Sequence, residues 1–136
     1  MEYKSNKDIV YSCKYCVVWC SKYRRKVLVG DIKLNLEEII NKVCYKNNID
    51  ILEMKIMPNY VFLLIEVNPQ FGVHKAIKLI KSNSSHILRK QFKSLKTKLP
   101  TLWSNSYFIS TLGSYSINDI NEYIESQKTS QRINKI

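Results

Sequence analysis

Residues 60–67 read Tyr-Val-Phe-Leu-Leu-Ile-Glu-Val, without proline or glycine and dominated by β-branched and aromatic side chains, which predicts a strand. Side chains alternate along a strand, so Tyr60, Phe62 and Leu64 share one face while Val61, Leu63 and Ile65 take the other. Both faces are apolar, the pattern of a central strand covered on both sides. Residues 49–57 alternate in part and predict a preceding strand, with Pro58-Asn59 as the tight turn of an antiparallel hairpin. Residues 9–20, Ile-Val-Tyr-Ser-Cys-Lys-Tyr-Cys-Val-Val-Trp-Cys, predict a long first strand. Residues 102–112, ended by Gly113, predict a fourth.

The period changes between these segments. After Gly30, Leu36, Ile39, Ile40 and Val43 fall at i, i+3, i+4 and i+7, the buried face of a helix of about five turns closed by Asn47-Asn48. A loop over residues 68–72 leads to a second helix, striped by Val73, Ala76, Ile77, Ile80, Ser84, Ile87 and Leu88. A last helix buries Ile117, Ile120 and Ile124, with Ser116 as its N-cap and Asp119 three residues on. The order strand, helix, strand, strand, helix, strand predicts an α+β fold. It is that of a ferredoxin-like (split β-α-β) antiparallel sheet with helices on one face and an extra C-terminal helix. At 136 residues one domain, 1–136, is expected.

Charge adds a partner. The chain carries 22 basic against 11 acidic residues, net +11, a bias that favours nucleic acid or another anionic surface. The cations cluster. Lys22, Arg24, Arg25 and Lys26 surround Tyr23 just after the first strand, a pattern suited to phosphate contacts with an aromatic for base stacking. Lys75, Lys78, Lys81 and Arg89 lie largely off the buried stripe of the second helix, and Lys90, Lys93, Lys96 and Lys98 continue the charge, so the two clusters predict a groove for a nucleic-acid backbone. His74 and His86 are twelve residues apart on one helix, more than three turns, and read as surface or cap residues. Cys13 and Cys16 form a C-x-x-C without a second pair, so free thiols are expected for them and for Cys20 and Cys44. No apolar run has the length of a membrane span and the first residues do not read as a signal peptide, so no membrane partner and a cytoplasmic location are expected.

Four blocks of the chain resemble the single-tyrosine HUH transposases, small enzymes that move insertion sequences as single-stranded DNA. They are Lys-Tyr-Arg-Arg-Lys-Val-Leu at 22–28, residues 57–73, residues 102–113, and Tyr-Ile-Glu-Ser-Gln at 123–127. The resemblance implies the same ferredoxin-like fold and a reaction that cleaves and rejoins single-stranded DNA through a 5′-phosphotyrosine. It implies Tyr123 as nucleophile and Gln127 as third ligand of a Mg²⁺ or Mn²⁺ ion. It further implies hairpin-bearing single-stranded DNA as partner, and a homodimer, for which the first strand offers an edge for pairing.

One position pair departs. The family's central strand carries His-x-His, two imidazoles on one face that hold the metal, and this chain has Tyr60 and Phe62 there. Phenylalanine has no lone pair to give, and a neutral phenol is a poor ligand at pH 7. Gln127 alone is too little for a hard cation. Metal stabilisation is worth several kcal/mol, so its loss is expected to slow cleavage by roughly a thousandfold or more. The expectation is a hairpin-binding protein with cleavage lost or strongly reduced. An active transposase using Glu66, His74 or backbone carbonyls with Gln127 is one alternative. A general single-strand DNA or RNA-binding module is the other.

Overall fold

The computed structural model describes residues 4–5, 10–11, 13–111 and 117–134, with side chains for 13–97, 99–111 and 118–127. A two-residue ribbon pairs β1 (Lys4–Ser5) with β2 (Val10–Tyr11). The main sheet holds β3 (Lys14–Cys20), β4 (Asp50–Met57), β5 (Tyr60–Glu66) and β6 (Phe108–Thr111) in the order β4-β5-β3-β6. Every neighbouring pair is antiparallel. With α1 (Gly30–Lys46) between β3 and β4, and α2 (Val73–Gln91) between β5 and β6, this is the ferredoxin-like arrangement. A short α3 (Lys93–Lys98) follows α2, and α4 (Ile117–Asn134) comes last.

The hairpin β4–β5 forms as the alternation predicts, with Met57 opposite Tyr60 across the Pro58-Asn59 turn. β5 lies inside the sheet, between β4 and β3. Its Val61, Leu63 and Ile65 are fully buried against the α1–α2 layer, together with Val17 and Trp19 of β3, Leu36 and Ile40 of α1, and Ile77 and Ile80 of α2. Its other row, Tyr60, Phe62 and Leu64, joins a second cluster with Cys16, Val18, Cys20, Phe108 and, from α4, Ile120, Ile124 and Tyr123. Two helices therefore cover one face, and α4 packs on the other.

Three expectations are corrected. The first strand is not continuous over 9–20: the sheet strand begins at Lys14, and Val10–Tyr11 pairs with the ribbon instead. The cause is partner length on the inner side, since β5 ends at Glu66 opposite Lys14, with Val67 N donating to Cys13 O at 3.0 Å just beyond. β3 is also flanked on both sides, so it offers no edge to a second copy; β4 and β6 are the outer strands. The fourth strand does not span 102–112. Leu102 and Trp103, adjacent in sequence, both pack into the cluster on the α1–α2 side, whereas the alternation of a strand would send them to opposite faces. Residues 102–107 instead make one bridge, Ser21 to Trp103, before β6 begins. Leu112, Gly113 and the expected cap Ser116 lie outside the described residues.

Smaller details follow from local chemistry. Gly30 sits at φ +57, a backbone that side-chain-bearing residues rarely adopt, and is itself the first residue of α1. The α1 stripe runs through Leu36, Ile39, Ile40 and Cys44, with Val43 half-buried at its border. Trp103 is anchored by its indole N–H, which donates to Lys81 O at 3.1 Å and Ser84 Oγ at 3.0 Å, and by an edge-on contact with Trp19. Leu63→Ala is expected to lower stability by about 2–5 kcal/mol, because a buried central-strand cavity cannot collapse; urea denaturation followed by circular dichroism measures it.

Candidate active site

Tyr123 and Gln127 are one helical turn apart on α4 and meet at a residue from a distant loop. Ser106 Oγ lies 3.0 Å from the Tyr123 hydroxyl and donates to Gln127 Oε1 at 2.8 Å. A serine has one proton; with that proton on Gln127, the phenol is the donor to Ser106. Burial pushes the Tyr123 phenol up to about 12. The ring packs 6.0 Å from that of Phe108. Tyr123 is thus a neutral, positioned phenol.

The loop that presents Ser106 is held by Lys81. Its ammonium donates to Ser104 O at 2.8 Å and Ser106 O at 3.2 Å, and lies 5.6 Å from the centre of the Tyr107 ring. Burial holds Lys81 down to about 8, with the neighbouring Cys20 acting the other way. The Tyr107 hydroxyl in turn contacts His74 Nδ1. Lys81, predicted as a groove cation, is half-buried: it lines a cleft beside Lys75 and Lys78 while its ammonium bonds the loop carbonyls.

The basic turn borders this corner. Lys22–Arg24 form a single 3-10 turn in which Tyr23 and Arg24 both take positive φ. Lys22 lies over the Tyr23 ring at 5.3 Å. Arg24 pairs with Glu125 of α4 at 3.6 Å, a contact worth little energetically because Glu125 is largely exposed. Arg25 and Lys26 are exposed. On α2, Lys78 is exposed and lines a cleft of about 690 Å³ with Lys75, His74 and Tyr107. Arg89 donates to Leu99 O at 3.2 Å and borders a second cleft of about 560 Å³ with His86, Lys90 and Lys96.

Tyr60 and Phe62 stand on the face that α4 packs against, as the strand period predicts. In register they face Cys20 and Val18 of β3. These residues do not fit a divalent cation. Phe62 has no donor atom, Tyr60 offers a phenol, and Gln127 Oε1 already accepts the Ser106 proton. Among the described residues no three His, Cys, Asp or Glu side chains are grouped to hold a metal. Glu66 is six residues from Tyr60, about 20 Å along the strand, and His74 is engaged with Tyr107. The four cysteines are free thiols; burial raises Cys16 and Cys20 to about 11 and Cys44 to about 12.

The sequence profile of the family described as "Transposase IS200 like" matches residues 9–127. The chain belongs to that family. The family chain is 34% identical over 129 residues to the ISDra2 transposase TnpA of Deinococcus radiodurans, covering 93% of this chain and 92% of that one. It is 31% identical over 126 residues to the transposase for insertion sequence element IS200 of Salmonella typhimurium, covering 91% and 82%. In three dimensions it is similar to the crystal structure of a putative transposase from Deinococcus radiodurans, with a TM-score of 0.85, 30% identity and coverage of 91% and 97%. A REP-associated tyrosine transposase bound to a REP hairpin shares the fold, at 12% identity, TM-score 0.58 and coverage of 88% and 67%. In this IS200-like chain, Ser106 and the loop-holding role of Lys81 are the site features that sequence reading missed. Serine in a polar stretch, and lysine on an amphipathic helix, carry no signal of their own.

A titration follows from the Tyr123 geometry. The folded phenol titrates above its ordinary value near 10, so its stabilising contribution is complete below pH 10 and is lost as pH rises toward 12. The wild type is expected to be more stable than Tyr123→Phe at pH 8, and that margin is expected to shrink steadily between pH 10 and 12. Denaturant midpoints of the two proteins measured in parallel check it.

Proposed function

We propose that this IS200-like transposase chain binds hairpin-bearing single-stranded DNA of insertion-sequence ends and leaves it uncleaved. The carrying observation is the Tyr60–Phe62 pair, packed in an apolar cluster at the positions where the family resemblance has the metal-binding histidines. Tyr123 is the nucleophile by the family resemblance; its hydroxyl is hydrogen-bonded to Ser106, and burial raises its pKa further from neutrality. Attack on a phosphate diester needs the phosphate polarised and its charge offset, and the side chains here supply no cation site for that.

Binding is supported by charge and by kinship. Arg25, Lys26 and Lys78 present exposed cations on the two basic surfaces, suited to backbone phosphates. Lys22, Tyr23, Arg24 and Arg89 stand beside them, partly engaged within the chain. The relatives are transposases, and a protein of the same fold is seen bound to a REP hairpin. A homodimer belongs to the proposal through the resemblance, with β4 and β6 as the outer strands open to a second copy. No helix among the described residues is long and apolar enough to cross a membrane. In this reading the protein competes for element ends with an active copy.

The test is a nicking assay on labelled hairpin-bearing single-stranded DNA with Mg²⁺ or Mn²⁺. Binding without cleavage is expected, at least about a thousandfold below a metal-assisted rate. Tyr60→His combined with Phe62→His is expected to gain metal-dependent nicking that Tyr123→Phe removes again. Cleavage by the unmodified chain that disappears in Tyr123→Phe overturns the proposal.

A further inference from the structure

Residues 67–118 hold eight lysines and arginines and not one aspartate or glutamate. Three of these cations meet at one opening. Lys75, Lys78 and Lys81 follow one another at i, i+3 and i+6 on α2, and they line the cleft of about 690 Å³ with His74, Leu79 and Tyr107. Side chains three apart on a helix are neighbours, and like charges there repel. Lys75 and Lys78 are exposed and Lys81 is half-buried, while the segment that carries them supplies no carboxylate to offset their charge. An anion entering the cleft would relieve that repulsion.

One short loop joins this cleft to Tyr123. Asn105 and Tyr107 line the cleft, and Ser106 between them contacts the Tyr123 hydroxyl and Gln127. The Lys81 ammonium serves both sides, since it lines the cleft and donates to Ser104 O and Ser106 O. An ammonium has three N–H donors. Two are used on the loop, which leaves one for a ligand in the cleft. A phosphodiester oxygen suits that place, because it accepts hydrogen bonds and carries the charge the lysines lack. The cleft volume lies in the range of pockets that hold small ligands, enough for a sugar–phosphate unit, with Leu79 as an apolar wall for the sugar.

We infer that this cleft binds a backbone phosphate of single-stranded DNA through Lys75, Lys78 and Lys81, and that Lys81 transmits its occupancy to the loop that positions Tyr123. The inference rests on the reading that the chain binds single-stranded DNA. Lys81 is here a positioning residue. A bound phosphate favours its ammonium form, and that form is the one that grips the Ser104 and Ser106 carbonyls. Phosphate binding and a tight loop therefore support each other. The titratable and charged groups around Lys81 are Cys20 of β3, Arg24 of the basic turn near that thiol, Tyr107 of the loop, and His74, Lys75 and Lys78 of α2. Burial holds Lys81 down to about 8. Above that pH the empty cleft loses the Lys81 proton, binding has to take one up, and affinity falls.

The test titrates the full chain, labelled with 3-fluorotyrosine, with three probes: inorganic phosphate, an abasic sugar–phosphate oligomer, and the same oligomer with uncharged methylphosphonate linkages. Comparison with Tyr123→Phe assigns the Tyr123 fluorine resonance. The charged oligomer is expected to bind and to shift that resonance, and the uncharged one to do neither. Lys75→Gln combined with Lys78→Gln, both at exposed positions, is expected to weaken binding about tenfold or more, to flatten its salt dependence and to abolish the shift. Wild-type affinity is expected to fall between about pH 8 and 9, and Lys81→Arg, charged throughout, to remove that fall. Binding of inorganic phosphate but not of the charged oligomer overturns the assignment to DNA. Oligomer binding that ignores Lys75 and Lys78, that leaves the Tyr123 resonance unmoved, or whose fall with pH survives Lys81→Arg overturns the inference. Should Lys81→Arg not fold, the Lys75 and Lys78 substitutions decide alone. A labelled hairpin-bearing strand measured in parallel by anisotropy separates the two readings. Its binding without any part played by the cleft lysines overturns the inference and leaves the proposed function standing; no binding of either DNA overturns both.

Discussion

Strand β5 is packed against on both faces, fully on one and partly on the other, and the rest of the molecule is arranged around that constraint. Its Val61, Leu63 and Ile65 need the α1–α2 layer, and its Tyr60, Phe62 and Leu64 need α4 and β3. Because side chains alternate, the two rows are independent in sequence while sharing one backbone. The first row secures the fold whatever the second row carries. The sheet so built is similar to that of a solved transposase structure. The second row favours the docking of α4, whose Ile120 and Ile124 share one apolar cluster with Tyr60, Phe62 and Leu64.

Much of this was legible in the sequence because the signals are local. The β4–β5 hairpin announces itself by alternation around Pro58-Asn59, and the α2 stripe by its period. The motif around Tyr123 and Gln127 reads correctly as one helix face. What failed was whatever depended on a distant partner. The first strand is cut at Lys14 because β5 ends opposite it, which residues 9–20 cannot reveal. Residues 102–107 leave strand geometry because Trp103 is drawn inward to the Lys81 carbonyl and Ser84 hydroxyl. Ser106 acquires its role only from α4, seventeen residues further along.

Lys81 shows how a helix pattern can mislead about a long side chain. The period places it off the buried stripe, and a charged surface residue is the natural reading. Its four-carbon stem lets the ammonium travel to the carbonyls of Ser104 and Ser106, groups that a regular strand would have paired. The irregular loop supplies acceptors that the lysine needs, and the lysine supplies donors that the loop needs. The half-buried charge and the broken strand are thus two halves of one arrangement, and the position of the Tyr123 hydroxyl depends on it through Ser106.

The backbone of the basic turn carries one more consequence. Tyr23 and Arg24 lie side by side in the left-handed region, where a residue other than glycine is held at a cost of order 1–3 kcal/mol. Such a kink persists only when its surroundings dictate it, here the bonds from Ser21 and Leu28 to the neighbouring hairpin. The cations it bears are consequently not on a swinging arm. They are set in orientation before any ligand arrives, so less freedom remains to be lost on association, and selectivity can come from shape as well as from charge.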